Sequence, residues 1–281
     1  MKFGSGQSVR RTEDIRFVTG HGQYTDDLHF DRETFVAFVR SPQAHAKIAS
    51  IDTAAAKAAP GVVAVLTQAD LEAAGAQNMP AMTPMQSRDG SMPKGIEKPL
   101  LAKDHTTFSG EAIAMVIAET YAQARDAAEL VAVDYDQLPA AGTLEAAPTA
   151  PAIWESIPNN ESFDWISGKE AETNEAFLKA AHTAEIDVVQ NRIVVNSMET
   201  RNAIGTYDAA TNSYVLYSGS QGAGGLRDRV ARIIGADAKD VRVVTPDVGG
   251  GFGMKAGVYP EQAMVLAAAK IVGRPVRWSS D

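Results

Sequence analysis

Residues 247–255 read Asp-Val-Gly-Gly-Gly-Phe-Gly-Met-Lys, with glycine at four of the five positions from 249 to 253. Such a run strips side chains from the backbone, so that N–H groups can approach a ligand closely and take up positive φ. Phe252 is the exception. A large aromatic that the turn does not need reads as a wall for a flat or bulky group. A second stretch of the same kind, Gly219-Ser220-Gln221-Gly222-Ala223-Gly224-Gly225, precedes it and adds a carboxamide at Gln221 that can donate and accept. Each stretch follows a strand-like run and precedes a helix-like one. This grammar puts two helix N-termini with exposed amides on one edge of a fold, an edge suited to an anionic or hydrogen-bond-accepting ligand.

Several other chemistries are excluded. Gly249–Ala256 is not a P-loop, because Lys255 follows Met254 and Ala256 stands where a magnesium-binding hydroxyl is needed. GxGxxG and GxSxG are both missing. The five histidines, His21, His29, His45, His105 and His182, are scattered without metal-ligand spacing and read as surface or capping residues. With no cysteine, this chain holds no disulfide, thiolate metal site, iron–sulfur cluster or cysteine nucleophile. A net charge of −9 argues against nucleic-acid binding. Glu199 and Arg201 read as a local ion pair, and Lys255 as a solvated or structural cation.

The elements that position these residues follow from patterning. Residues 1–33 are polar, lack a periodic apolar face and read as an extended arm. Strand-like runs at Thr34–Arg40, Ala46–Ile51, Val62–Leu66, Ala112–Ala118 and Val131–Tyr135 alternate with helix-like ones at 53–59, 68–74 and 120–130. This βαβ-like rhythm predicts an α/β domain over 34–139. Residues 75–100, with Met79, Met82, Met85 and Met92 among prolines and glycines, read as a long surface loop, or as a flap over a neighbouring chain or site. Residues 140–160 hold Pro148, Pro151 and Pro158 and read as a linker. Over 161–281 the pattern predicts a helix at 174–181 and strands at 182–195, 202–208 and 214–218. Beyond these come a helix from Leu226 to Gly235, a strand at 241–245, a helix from Pro260 to Val272 and a strand at 276–278. The N-terminus lacks the apolar core of a signal peptide, and no apolar run approaches the ~20 residues of a bilayer span, so the reading is a cytoplasmic protein.

The ordered set of motifs carries a resemblance. Gly6–Asp14 with Thr19–Asp27, Val39-Arg40-Ser41-Pro42-Gln43-Ala44-His45-Ala46, Ser197-Met198-Glu199-Thr200-Arg201, Ser220-Gln221, Gly249–Gly253 and Gly273-Arg274-Pro275-Val276 follow one another, with Gln221 and Phe252 31 residues apart. In this the chain resembles the N-terminal part of the molybdopterin-binding large subunit of the xanthine dehydrogenase / aldehyde oxidase / aerobic carbon monoxide dehydrogenase family. The resemblance covers essentially the whole sequence. It implies a mixed α/β fold, with a hammerhead-like domain followed by the first portion of a molybdopterin-binding domain.

It also implies roles. Gln221 aims its amide at an oxo ligand of molybdenum without binding the metal directly, while Gly250, Gly251, Phe252 and Gly253 present the loop to molybdopterin, in its simple or cytosine dinucleotide form. The implied reaction is hydroxylation of a heteroaromatic or aldehyde substrate with oxygen from water. Electrons pass to Fe–S and FAD partner subunits. The family's general-base glutamate and further cofactor-binding sequence lie beyond Asp281, which implies a second molybdopterin-binding chain. No catalytic residue is assigned in this one. Ala256 stands where purine-oxidising members carry a glutamate, which disfavours a purine, and the cysteine of carbon monoxide dehydrogenases also belongs to later sequence. The competing reading is an inactive scaffold or assembly protein, or a gene fragment, that kept the fold without cofactor.

Overall fold

The computed structural model describes Gly6, residues 8–81 and residues 85–280. The arm is less extended than its polarity predicts, with a short helix α1 (Asp14–Val18) and a 3-10 turn at Thr25–Asp27. It is fastened by directed polar contacts, which explains why it needs no apolar face. Arg16 pairs with Asp247, whose Oδ2 also accepts from Gln23 N–H at 2.7 Å. Further along, buried Arg277 donates to Asp26 at 3.2 Å, to Glu33 at 3.0 Å and to the Leu28 carbonyl.

From Thr34 the elements fall close to where the residue pattern places them: β1 (Thr34–Arg40), β2 (Ala46–Asp52), α2 (Ala54–Lys57), β3 (Val62–Leu66) and α3 (Gln68–Ala73). β4 (His105–Thr106), β5 (Ala112–Ala118), α4 (Tyr121–Ala128) and β6 (Ala132–Gln137) follow. Thr120 caps α4 by accepting from Gln123 N–H. The βαβ-like rhythm does not give parallel pairs here. β5 lies antiparallel between β3 and β1, whereas β6 joins a separate three-stranded sheet, β4-β2-β6. All seven β5 residues are buried, as its unbroken apolar sequence requires.

The 75–100 segment is irregular and hydrogen-bonds to residues 162–164, through Lys94 N–H to Ser162 and Arg88 N–H to Asp164. Met82 lies outside the described residues. Residues 140–160 are folded around Asn160, whose side chain donates to the Ala147 carbonyl and accepts from Ile153 N–H, both at 2.9 Å.

In the next stretch one expectation holds with shifted bounds and one fails. The helix is α5 (Glu170–Lys179), four residues earlier than expected and with no buried face. The strand at 182–195 does not form; the segment makes no ladder and its side chains are almost all exposed. β-branched residues favour a strand only where a neighbouring strand completes the hydrogen bonds.

Beyond it run β7 (Asn202–Asp208), β8 (Ser213–Tyr217), α6 (Ala223–Ile233), β9 (Val241–Val244), α7 (Pro260–Val272) and β10 (Val276–Ser279). Pro260 occupies the first turn of α7, and Gly273, at φ 63°, ends it in the left-handed conformation. α7 is buried at nine positions, which its nearly all-apolar sequence permits. It seats against β7 at Gly205, where an added Cβ would strike the Val265 carbonyl and lie 2.8 Å from Leu266 N.

The large sheet has seven strands in the order β3-β5-β1-β10-β7-β8-β9. It therefore runs without interruption from the 34–139 region into the 161–281 region, joined by the parallel pair β1/β10.

Candidate functional site

β8 and β9 are parallel neighbours joined through α6, so the segments that leave their C-terminal ends emerge side by side. Those segments are the two glycine stretches. Gly224 and Gly225 lie inside the first turn of α6, which leaves Gly219–Gly222 as the connecting loop. The second stretch reaches α7 only after a 3-10 turn at Met254–Ala256, tied by Tyr259 Oη to the Met254 carbonyl at 2.6 Å.

The loops are locked together. Gln221 N–H donates to the Lys255 carbonyl at 2.9 Å, and Gln221 Oε1 accepts from Gly253 N–H at 3.0 Å. That second bond fixes the carboxamide, turning its Nε2 donors away from Gly253. It also removes Gly253 N–H from the donors available to a ligand. The N–H groups of Gly250, Gly251 and Phe252 have no acceptor among the described residues. Backbone torsions explain the glycines. Gly250 and Gly253 stand at φ 104° and 91°, and Phe252 itself is forced to φ 47°, a costly conformation for an aromatic residue. A Cβ on Gly251 would lie 2.7 Å from Gln221 Oε1, and one on Gly249 2.5 Å from Glu199 Cβ. Phe252 is 78% exposed, so core packing does not account for it.

Beneath the loops is a pair that local reading missed. Glu199 does not pair with Arg201. Its Oε2 accepts from Lys255 Nζ at 2.6 Å and from Gly249 N–H at 2.9 Å, and its Oε1 accepts from Asn202 at 3.2 Å. Lys255 Nζ also donates to the Glu199 carbonyl at 2.9 Å, and both side chains are buried. Arg201 instead stacks over Tyr259, 4.1 Å from its ring centroid, and faces Glu261 at 3.8 Å. The chain bends at residues 198 and 199 before β7 begins, so Glu199 and Arg201 do not follow one strand face and reach different partners. At the outer end, Arg16 holds the Asp247 carboxyl below the usual aspartate range, chiefly by direct hydrogen bonding, helped by Gln23 N–H. Among the described residues no group of three or more histidine and acidic side chains could hold a metal ion.

The site therefore offers neutral donors, from backbone and carboxamide, on a rigid and partly exposed cradle backed by one buried ion pair. Such a set binds oxygen-rich acceptors without supplying a metal ligand.

Known proteins match nearly the whole chain. Residues 19–139 match the family described as "Aldehyde oxidase and xanthine dehydrogenase, a/b hammerhead domain", and residues 153–281 match "Molybdopterin cofactor-binding domain". The carbon monoxide dehydrogenase large chain of Afipia carboxidovorans is 34% identical over 99% of this chain and 35% of its own length. The nicotine 6-hydroxylase large subunit of Paenarthrobacter nicotinovorans is also 34% identical, over 98% of this chain and 33% of its own. The crystal structure of quinoline 2-oxidoreductase from Pseudomonas putida 86 superposes with a TM-score of 0.83 at 35% identity, covering 98% of this chain and 34% of that one. The chain thus spans about a third of the length of these relatives. Through its hammerhead domain and the start of its molybdopterin-binding domain, it belongs to the xanthine dehydrogenase / aldehyde oxidase / aerobic carbon monoxide dehydrogenase family.

Proposed function

We propose that the chain holds molybdopterin against the edge formed by the loops after β8 and β9, as one part of a molybdenum hydroxylase. The observation that carries this reading is the lock between Gln221 and Gly253, beside which the Gly250, Gly251 and Phe252 N–H groups have no acceptor among the described residues. The residues fit the group: a Cβ at 249 or 251 would collide with Glu199 or Gln221, so at these positions the cradle keeps bare backbone beside the Gln221 carboxamide. When bound, the cofactor supplies redox chemistry at molybdenum, with oxygen from water and two electrons leaving.

The chain's own residues bind and orient. Gln221 donates to an oxo group, Gly250, Gly251 and Phe252 donate through the backbone, and the exposed Phe252 ring walls the cleft. Glu199 and Lys255 hold the two loops at a fixed spacing and keep water from beneath them. The general base is not among these residues and belongs to further sequence.

The substrate class is a heteroaromatic ring or an aldehyde, a reading supported by the nicotine and quinoline enzymes among the relatives. Residues 1–33 serve as arm, 34–139 and 161–281 as the two working regions, and 140–160 as their connection. The site is completed by a second molybdopterin-binding chain and served by Fe–S and FAD subunits, in the cytoplasm. Purifying the native complex through this chain, identifying its polypeptides and assaying molybdenum tests the reading. Stoichiometric molybdenum with a second chain carrying the remaining cofactor-domain sequence is the expected result. A lone chain without metal would replace it with the scaffold or fragment reading.

A further inference from the structure

Between the start of α7 and the hammerhead region lies a cavity of about 430 Å³, and no residue of the glycine cradle lines it. One side is apolar, formed by buried Leu100 and Met264 together with Met79 and Phe108. Arg201 lines the other side with its guanidinium uncommitted. The side chain is 25% exposed, and its Cζ is held 4.1 Å from the Tyr259 ring centroid and 5.4 Å from that of Trp278. It makes no hydrogen bond to any described residue; its one charge partner among them, Glu261, lies 3.8 Å away. The Glu261 Oε2 is itself buried without a hydrogen-bond partner among the described residues. Largely buried polar groups are satisfied in nearly every case, so a fixed guanidinium with all its donors unused marks a place for an acceptor.

The surrounding charges select that acceptor. Arg40 is already engaged, donating to Glu261 Oε1 at 3.2 Å and to the Gly110 carbonyl at 3.1 Å. Glu111 Oε2 accepts from the Thr107 N–H at 2.6 Å and from its hydroxyl at 3.1 Å. Lys98 has no carboxylate partner among the described residues, and its Nζ stands 5.0 Å from the Phe108 ring centroid. Three cations, Arg40, Lys98 and Arg201, against the carboxylates of Glu111 and Glu261 leave one positive charge in excess. The N-terminus of α7, which meets the cavity at Pro260, adds to the positive potential.

We propose that this cavity binds a small monocarboxylate with an apolar body. Arg201 takes the carboxylate, whose two oxygens match the planar fork of a guanidinium, and Lys98 supplies the balancing charge. The body lies against Leu100, Met264 and Phe108. Glu261 holds Arg201 by charge without using its donors, and Tyr259 stacks on it, so the fork is fixed before a ligand arrives. The site stands apart from the molybdopterin reading, and neither requires the other.

Titration calorimetry of the full chain with sodium benzoate, benzamide and inorganic phosphate tests this. Benzoate saturates the chain with a Kd at or below about 1 mM. Benzamide, of the same shape without the charge, binds at least about tenfold more weakly, and so does phosphate, which has no apolar body. Arg201→Gln weakens benzoate at least about tenfold, and Arg201→Lys recovers part of that loss, because an ammonium keeps the charge and lacks the fork. Lys98→Met weakens benzoate about two- to fivefold and leaves Tm unchanged. If Arg201→Gln does not fold, Lys98→Met and the benzoate–benzamide difference decide.

A folded chain that benzoate does not saturate would overturn the proposal and leave an ordinary hydrated cavity. Benzamide as tight as benzoate, or benzoate affinity unchanged in folded Arg201→Gln, would overturn the guanidinium as the recognition element and the proposal with it. Phosphate as tight as benzoate would reduce the site to an inorganic anion site, and that too overturns it. None of these outcomes bears on the molybdenum assay of the native complex, so the two readings fail separately.

Discussion

Lys255 and Glu199 are 56 residues apart and buried against each other, so removing one partner strands the other charge away from water. Lys255→Met is expected to destabilise the chain by about 3–5 kcal/mol, measured by denaturant unfolding. The double variant Glu199→Leu with Lys255→Met should recover much of that loss. A double variant no better than the single would show that the pair acts only through loop geometry. Gln221 behaves differently, because it is exposed. Gln221→Ala should change stability by less than about 1 kcal/mol yet lower kcat of the molybdenum-loaded complex at least about tenfold, if its amide orients the bound group. The third residue is Asp247. Its pKa is lowered in the folded chain, so its contribution to holding the arm is present above the ordinary aspartate value of 3.8 and is lost only as pH falls through the lower folded value. The Asp247 carboxyl carbon, followed by NMR, should titrate below 3.8, and Arg16→Ala should return it toward that value. The glycine loops and Gln221 were legible in sequence because glycine spacing reports backbone demands directly. The Glu199–Lys255 pair was not, since only the topology brings β7's leading residues beneath the loop after β9, and the nearer Arg201 was the obvious local partner.

At the scale of elements, continuous apolar runs and caps located almost every strand and helix. The notch at Gly205 shows why β7 can lie flush on α7. Gly205→Ala should destabilise by about 1–3 kcal/mol, because the obstacle is helix backbone, which cannot rotate aside. A neutral result in thermal unfolding would mean that α7 shifts. Pairing was less legible than position. The rhythm of 34–139 predicted an α/β domain without fixing its pairing: β6 leaves for the smaller sheet after α4, and β5 finds antiparallel partners on both sides. The run at 182–195 carries an unfulfilled local preference. Propensity announces a strand there, and no described residue supplies the ladder.

At the scale of the whole molecule, the regions matched to two family descriptions share one sheet, with β10 hydrogen-bonded to β1 on one side and β7 on the other. Calorimetry should therefore find a single cooperative transition for both. Two resolved transitions would show that the β1/β10 seam contributes little. The seam also sets an order of events at the ribosome. β10 is the last element in sequence order, yet it is the middle strand of seven. Until residue 279 clears the exit tunnel, β1 and β7 each present an open edge to solvent, so the first half waits on the second before it is closed. Chaperone demand during synthesis should peak in that interval, when about 240 residues of chain already separate β1 from the strand that completes it.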